Sequence, residues 1–375
     1  MTEVYFIGIH EITLSCLLQK VLGKSPKFPE ITTGDWMELF KMSSKQAVVG
    51  ICFYAIDKLF SEGSDVVVNL PYELKLKWIA AASNIQNRNE LVNRRCIELQ
   101  TRLAEDGFRT YIMKGQGNAA LYGSDLCLLR QSGDIDIFLD GGYSRVMEYV
   151  RRTCPTNEVN ELEIHYHCFD DAEVEIHYRP FIMRNPFKNA IFQRFLSSEG
   201  RKSFDNYIEL PDDAGHIAVP TSAFNVVHQL VHIFHHFFTE GIGLRQLLDY
   251  YFVLSDVSKK QEDVSGAVEM IHRLGLDRFA RALMWCLVRV FDADEKILLW
   301  SPDVVDGQVL FSEILRSGNF GQMNGINVKL SNKFKSFWYV NAKTFRFIRF
   351  DRWAWFWSPL WRVYHFAWRK IHGYD

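Results

Sequence analysis

Asp134 and Asp136 stand two apart in the apolar run DIDIFL. On a strand, residues at that spacing share a face, roughly 7 Å apart. Two unpaired carboxylates there repel each other and are costly to desolvate. A divalent cation removes the conflict, because carboxylate oxygens are hard ligands that suit Mg²⁺, with Mn²⁺ as a substitute. A third acid helps to hold two ions. In EVEIHYR, Glu173 and Glu175 share a face, and Glu175 lies deeper in the apolar pattern. Two metals held in this way activate a hydroxyl and stabilise a leaving pyrophosphate in an in-line displacement.

Phosphates also need a cradle. Lys114-Gly115-Gln116-Gly117 falls between an expected strand and a short helix. Glycine lets the backbone approach a phosphate, and a helix start offers unpaired N–H groups. Arg130 and Ser132, followed by Gly133, lie just upstream of the acids and suit phosphate oxygens. Each piece alone is weak. A lone Asp-x-Asp is most often a solvated face, and Lys-Gly-x-Gly is less specific still. The weight comes from the order: glycine turn, Arg, Ser, Asp-x-Asp, distal acid.

The elements that must position these groups follow from periodicity. Residues 9–108 read as helical, with apolar residues three and four apart in EITLSCLLQKVLG and in the stretch from Pro71 to about Glu105. At Arg109 the pattern changes. TYIMKG and DIDIFL suit strands, NAALYG a short helix, and residues 144–152 another helix. ELEIHYHCFDDAEVEIHYRP reads as a hairpin around Asp170-Asp171, stopped by Pro180. Helices resume at TSAFNVVHQLVHIFHHFF and continue to about Ala293; residues 317–332 are polar and glycine-rich, as in a loop. The expectation is an α+β chain: a helical segment (1–108), a small mixed-sheet domain (109–215) and a C-terminal helical domain with an aromatic, basic tail (216–375).

Four histidines, His228, His232, His235 and His236, fall in one predicted helix. His228 and His232 have the i, i+4 spacing of a zinc pair, but position 229 is Gln, so no HExxH forms. A packing or capping role is the better account of them. Arg245 follows a glycine break and can project into a cleft; an Arg245–Asp249 pair on a solvated face accounts for the same spacing. His177 is expected beside the metals, and His165 is left open between a site role and cross-strand packing. In FRFIRFDRWAWFWSPLWRVYHFAWRK, Trp361, Tyr364 and Trp368 form one helical stripe. The tail is expected to pack back as core with an arginine rim. A membrane surface and an anionic acceptor such as tRNA are the alternatives.

Bulk properties narrow the class. The 375 residues carry a net charge of −2, which gives no general nucleic-acid coat and no obvious DNA binding. Seven scattered cysteines without a CxxC fit a reducing compartment. No signal peptide is apparent, and the longest uncharged apolar run is too short to span a bilayer, so the cytoplasm is the expected location.

KGQGNAALYG…RQSGDIDIFL resembles the signature of the polymerase-β nucleotidyltransferase superfamily. The similarity is nearest to an uncharacterised bacterial group, and more distant for the abortive-infection toxin type. DWMELF, IHYHCF with VEIHYRP, and HHFFTEGIGLRQLLDYY also resemble that group, so the similarity covers about residues 30–370. It implies that Asp134 and Asp136 bind both metals and that Glu175 is the third ligand and a base. It implies that Lys114, Gly115, Gln116, Arg130 and Ser132 hold the triphosphate, and that His232 or His235 with Arg245 and Asp249 line the cleft. Gln116 departs from the family's Gly-Gly or Gly-Ser; it can donate to phosphate but is bulkier. The implied activity moves an NMP from an NTP, ATP among them, to an acceptor that is a small molecule, a protein or an RNA. A non-catalytic nucleotide- or membrane-binding protein and a metal-dependent phosphohydrolase are the competing functions.

Overall fold

The computed structural model describes residues 8–319 and 341–374. Most of the loop expected at 317–332 therefore lies outside the described residues. Helices α1 (Ile9–Val21), α2 (Thr33–Lys45) and α3 (Val49–Ser61) precede α4 (Tyr72–Glu105). At 1.5 Å per residue, the 34 residues of α4 span about 50 Å. Two apolar clusters share this helix. Leu74 and Trp78 join one with α1–α3; Cys96, Leu99 and Leu103 join the other, beneath the sheet.

The sheet is built from β1 (Thr110–Ile112), β2 (Ile135–Leu139), β3 (Glu163–His165) and β4 (Val174–His177). Its order is β1-β2-β4-β3, with β2 and β4 parallel and the outer pairs antiparallel. This is the mixed sheet of an α+β fold, and the predicted hairpin is the β3–β4 pair. Alternation sorts its two faces. Ile135, Ile137, Ile164, Val174 and Ile176 point to the cluster completed by Val146, Met147 and Val150 of α6 (Gly142–Thr153). The opposite face carries the polar residues. Register sets Asp136 beside Glu175, Glu175 beside His165, and Glu163 beside His177.

Between β1 and β2 lies the single turn α5 (Gln116–Ala119). The loop that runs from it to β2 is anchored from mid-α4, where Asn89 is fully buried and donates from Nδ2 to the carbonyls of Leu128 and Arg130, both at 2.7 Å. Two elements escaped the periodicity argument: α7 (Pro186–Ser203), started by Asn185 as cap and Pro186, and the hairpin of β5 (Tyr207–Leu210) and β6 (Gly215–Ala218).

The C-terminal helices are α8 (Ser222–Phe238), α9 (Leu244–Lys260), α10 (Ser265–Arg273), α11 (Asp277–Phe291) and α12 (Val304–Ser317). Thr221 caps α8, its Oγ1 accepting from Phe224 N–H at 3.3 Å. The helix then packs on the sheet's polar side, where Phe224 meets Tyr111 of β1 and Tyr111 stacks on Phe138 of β2 at 4.9 Å. The tail divides. Phe347 and Phe350 are buried against Phe237, as a core tail requires, and Arg349 pairs with Asp306 at 2.8 Å. Helix α13 (Ala354–Ile371) lies on the surface with Ser358 its one buried residue. Among the described residues, no helix is long and apolar enough to cross a membrane.

Candidate active site

A cavity of about 340 Å³ opens between the polar face of the sheet and helices α8 and α9. Lys114, Gly115, Gly133, Asp134, Asp136, Glu175 and His177 line it from the sheet side. His232, Arg245 and Asp249 line it from the helical side, with Arg130 between. Gln116 and Ser132 lie outside the lining. Gln116 is buried, and its amide donates to the Oδ1 atoms of Asn93 and Asn89 on α4. Its side chain therefore braces the turn and does not face a phosphate. Gly115 makes that turn possible, since its φ of +57° is ready for glycine and strained for a side chain.

Asp134 sits just before β2 and Asp136 within it, 3 % exposed. The ligand atoms of Asp136, Glu175 and His177 lie within 4.8 Å of one another, as do those of Glu163, His165 and Glu175. Glu163 was missed by the sequence argument, although it stands two residues before His165 on the same strand face. Burial opposes the charge of Asp136, but Lys114 and His177 outweigh it and hold its carboxyl below the usual range. The Lys114 Nζ lies 2.7 Å from Asp136 Oδ1 and His177 Nε2 lies 3.0 Å from it. The neighbouring charge of Asp136 raises Asp134, with burial adding to it. Burial, then Glu163, Asp136 and Asp134, push Glu175 up to about 10. One ammonium and one imidazole thus do not neutralise this many acids.

The helical wall continues the polar chain. Lys114 Nζ meets His232 Nε2 at 3.3 Å, His232 meets His236 at 3.0 Å, and His236 Nδ1 meets Glu240 at 3.1 Å. Burial, then Lys114, keeps His232 well below the ordinary imidazole value; burial and Arg184 do the same to His235. Among the described residues, the groups of three metal-capable side chains lie on the sheet and include none of the α8 histidines. The i, i+4 pair His228/His232 does not gather a third ligand.

Arg130 and Asp249 line the cavity as a pair. Arg130 is 4 % exposed and forks onto Asp249, Nε to Oδ1 at 2.6 Å and Nη2 to Oδ2 at 2.7 Å. Tyr122 donates to the same carboxylate at 2.7 Å. The guanidinium is already neutralised by a bidentate partner, so a phosphate grip by Arg130 has to compete with Asp249. The alternative pair of Arg245 and Asp249 on a solvated face does not form. Both residues face inward, and Arg245 donates through Nη1 to the Gln131 carbonyl at 2.9 Å. No spacing rule reveals the Arg130–Asp249 pair, since 119 residues separate its members.

The donor set fits a divalent cation. Three carboxylates converge with an imidazole where the fold supplies too little positive charge, and oxygen-rich sets of this kind suit Mg²⁺ or Mn²⁺.

The family model described as an uncharacterised nucleotidyltransferase matches residues 32–292. That is more than half of the chain, which therefore belongs to this family of nucleotidyltransferases. No curated protein and no solved structure matches it.

Two predictions follow from the charges. Asp249→Ala leaves Arg130 buried without its partner and costs about 3–5 kcal/mol in urea unfolding, whereas Arg130→Met with Asp249→Leu costs less than that single change. Glu175 holds a proton in the folded chain that the unfolded chain has released above about pH 4–5. Its folded pKa is raised, so stability from this group is full below that pH and falls as pH climbs towards 10. In metal-free protein, Glu175→Gln should therefore add on the order of 1–2 kcal/mol at about pH 8 and nearly nothing at about pH 4, read from urea midpoints.

Proposed function

We propose that the cavity binds a nucleoside triphosphate with divalent cations and transfers its NMP to an acceptor hydroxyl or phosphate, releasing pyrophosphate. The observation that carries this reading is the row of Asp136 and Glu175 across β2 and β4, with Asp134 and Lys114 at its edge. Asp134, Asp136 and Glu175 would hold the ions, and His177 would orient Asp136. When bound, such ions supply charge for the triphosphate and for the leaving pyrophosphate.

The chain's own groups divide the remaining work. In-line attack forms a bond from the acceptor oxygen to the α-phosphorus and breaks the bond to the β-phosphate bridging oxygen. With cations bound, Glu175 would be ionised and placed to take the acceptor's proton. Lys114 would offer its ammonium to the triphosphate. Gly115 and Gly133 let backbone N–H groups come close to phosphate oxygens. Gln116 serves by holding the turn, and Ser132 lies outside the lining. Arg130 with Asp249, His232 and Arg245 forms the wall that the base or the acceptor would meet. The acceptor is a small molecule, a protein or an RNA.

The division of the chain at 108 and 215 belongs to this reading, with catalysis assigned to 109–215. So does a cytoplasmic location, which agrees with seven free thiols.

The test is incubation with α-labelled NTPs and Mg²⁺ or Mn²⁺ in the presence of cell extract. Label should move to an acceptor with release of pyrophosphate, and Asp136→Asn should lower the rate about 100-fold or more. Free labelled NMP would instead assign a phosphohydrolase. Tight NTP binding without turnover would assign a non-catalytic nucleotide-binding protein.

A further inference from the structure

Helix α13 presents an apolar stripe to solvent. Trp353, just before it, and Phe356, Leu360, Val363, Tyr364 and Ile371 are 57, 42, 47, 67, 48 and 80 % exposed. Their steps of three, four and seven residues place them along one side of the helix. A neighbouring side packs on the protein, while Trp355 and Phe366, 49 and 62 % exposed, extend the apolar surface beyond the stripe. Ser358 accepts from Arg184 Nη1 at 3.1 Å, His365 bonds to Glu161, and the Trp368 ring lies 5.7 Å from that of Tyr143. The helix is thus firmly seated, and its outward face is the one that an ordinary surface helix fills with polar residues.

The charges around this stripe point to its partner. Ala354–Ile371 contains no Asp or Glu; of the seven Lys/Arg in residues 341–374, Lys343, Arg346 and Arg349 pair with Glu313 or Asp306, and the other four, Arg352, Arg362, Arg369 and Lys370, lie on or beside α13. Arg352 and Lys370 are exposed near the two ends of the stripe. Two copies meeting through this face would bring like charges together. A surface of anionic headgroups over acyl chains complements both the charges and the aromatic side chains, and tryptophan, phenylalanine and leucine flanked by basic residues are the composition of helices that lie in that interface. No described helix is long and apolar enough to cross a membrane, so such a helix would lie on the bilayer and not through it.

We infer that α13 is a docking face for an anionic lipid bilayer, entered by Trp353, Phe356, Leu360 and Val363 and steered by Arg352 and Lys370. This inference is independent of the catalytic reading.

Flotation of the full chain with lipid vesicles tests it. Wild type should bind vesicles of phosphatidylcholine mixed with phosphatidylglycerol, bind phosphatidylcholine alone at least about tenfold less, and release in high salt. Trp353→Ser/Phe356→Ser/Val363→Ser and Arg352→Glu/Lys370→Glu should each weaken binding about tenfold or more, with unchanged circular-dichroism melts. Should either variant misfold, acyl-brominated lipids supply the second readout, since they should quench wild-type tryptophan fluorescence. Failure of wild type to float would overturn the inference, and so would binding that both folded variants retain. A concentration-dependent dimer lost in the triple variant, without flotation, would assign the face to a second copy. A salt-sensitive shift of an oligoribonucleotide, without flotation, would assign it to RNA.

Discussion

The constraint around which this protein is arranged is the crowding of carboxylates on one face of a four-stranded sheet. Parallel pairing of β2 with β4 sets Asp136 beside Glu175, and antiparallel pairing of β4 with β3 adds Glu163. A single carboxylate there could be hydrogen-bonded cheaply. Several together cannot all be ionised in a buried place without cations. The fold answers in part, with Lys114 and His177 on Asp136, and leaves Glu175 holding a proton. Such a site is under-neutralised by construction, which is a poor choice for stability and suits the divalent cations and triphosphate proposed above.

The surrounding structure can be understood as support for that face. One side of the sheet is apolar and rests on α4 and α6, so the strands cannot slip register without burying the acids in the wrong core. The loop leading to Asp134 is fixed twice, by Asn89 from α4 and by the buried fork of Arg130 on Asp249 from α9. The second tie links the sheet to the helical wall. Through His232, His236 and Glu240 the same wall also touches Lys114. A change in the helical half should therefore be felt at the acids through defined bonds.

Much of this was legible in the sequence because it depends on local spacing. Asp134-x-Asp136 in an apolar run, Glu175 two residues before His177, and Gly115 at a turn are all period-two or turn signals, and the mixed sheet with flanking helices followed from them. What was not legible depends on distant partners. Gln116 looked like a phosphate donor because it neighbours the glycines; its buried position is set by Asn89 and Asn93 on α4. Arg130 looked available because Asp249 is so far along the chain. Glu163 gives no spacing signal of its own; its place beside His177 is set by the β3–β4 register. The tail's spacing put Trp361, Tyr364 and Trp368 on one stripe, but Tyr364 is exposed while Trp368 packs on Tyr143, a division decided by the contacts of α13 with Glu161, Arg184 and Tyr143.

Titration calorimetry of NTP binding, with and without Mn²⁺, in wild type and in Asp134→Asn/Asp136→Asn, tests the central claim most directly. The account predicts binding that requires the metal and is lost in the double variant while its circular-dichroism spectrum stays that of the folded chain. Failure of every NTP to bind with either Mg²⁺ or Mn²⁺, or equal binding by the double variant, would contradict it.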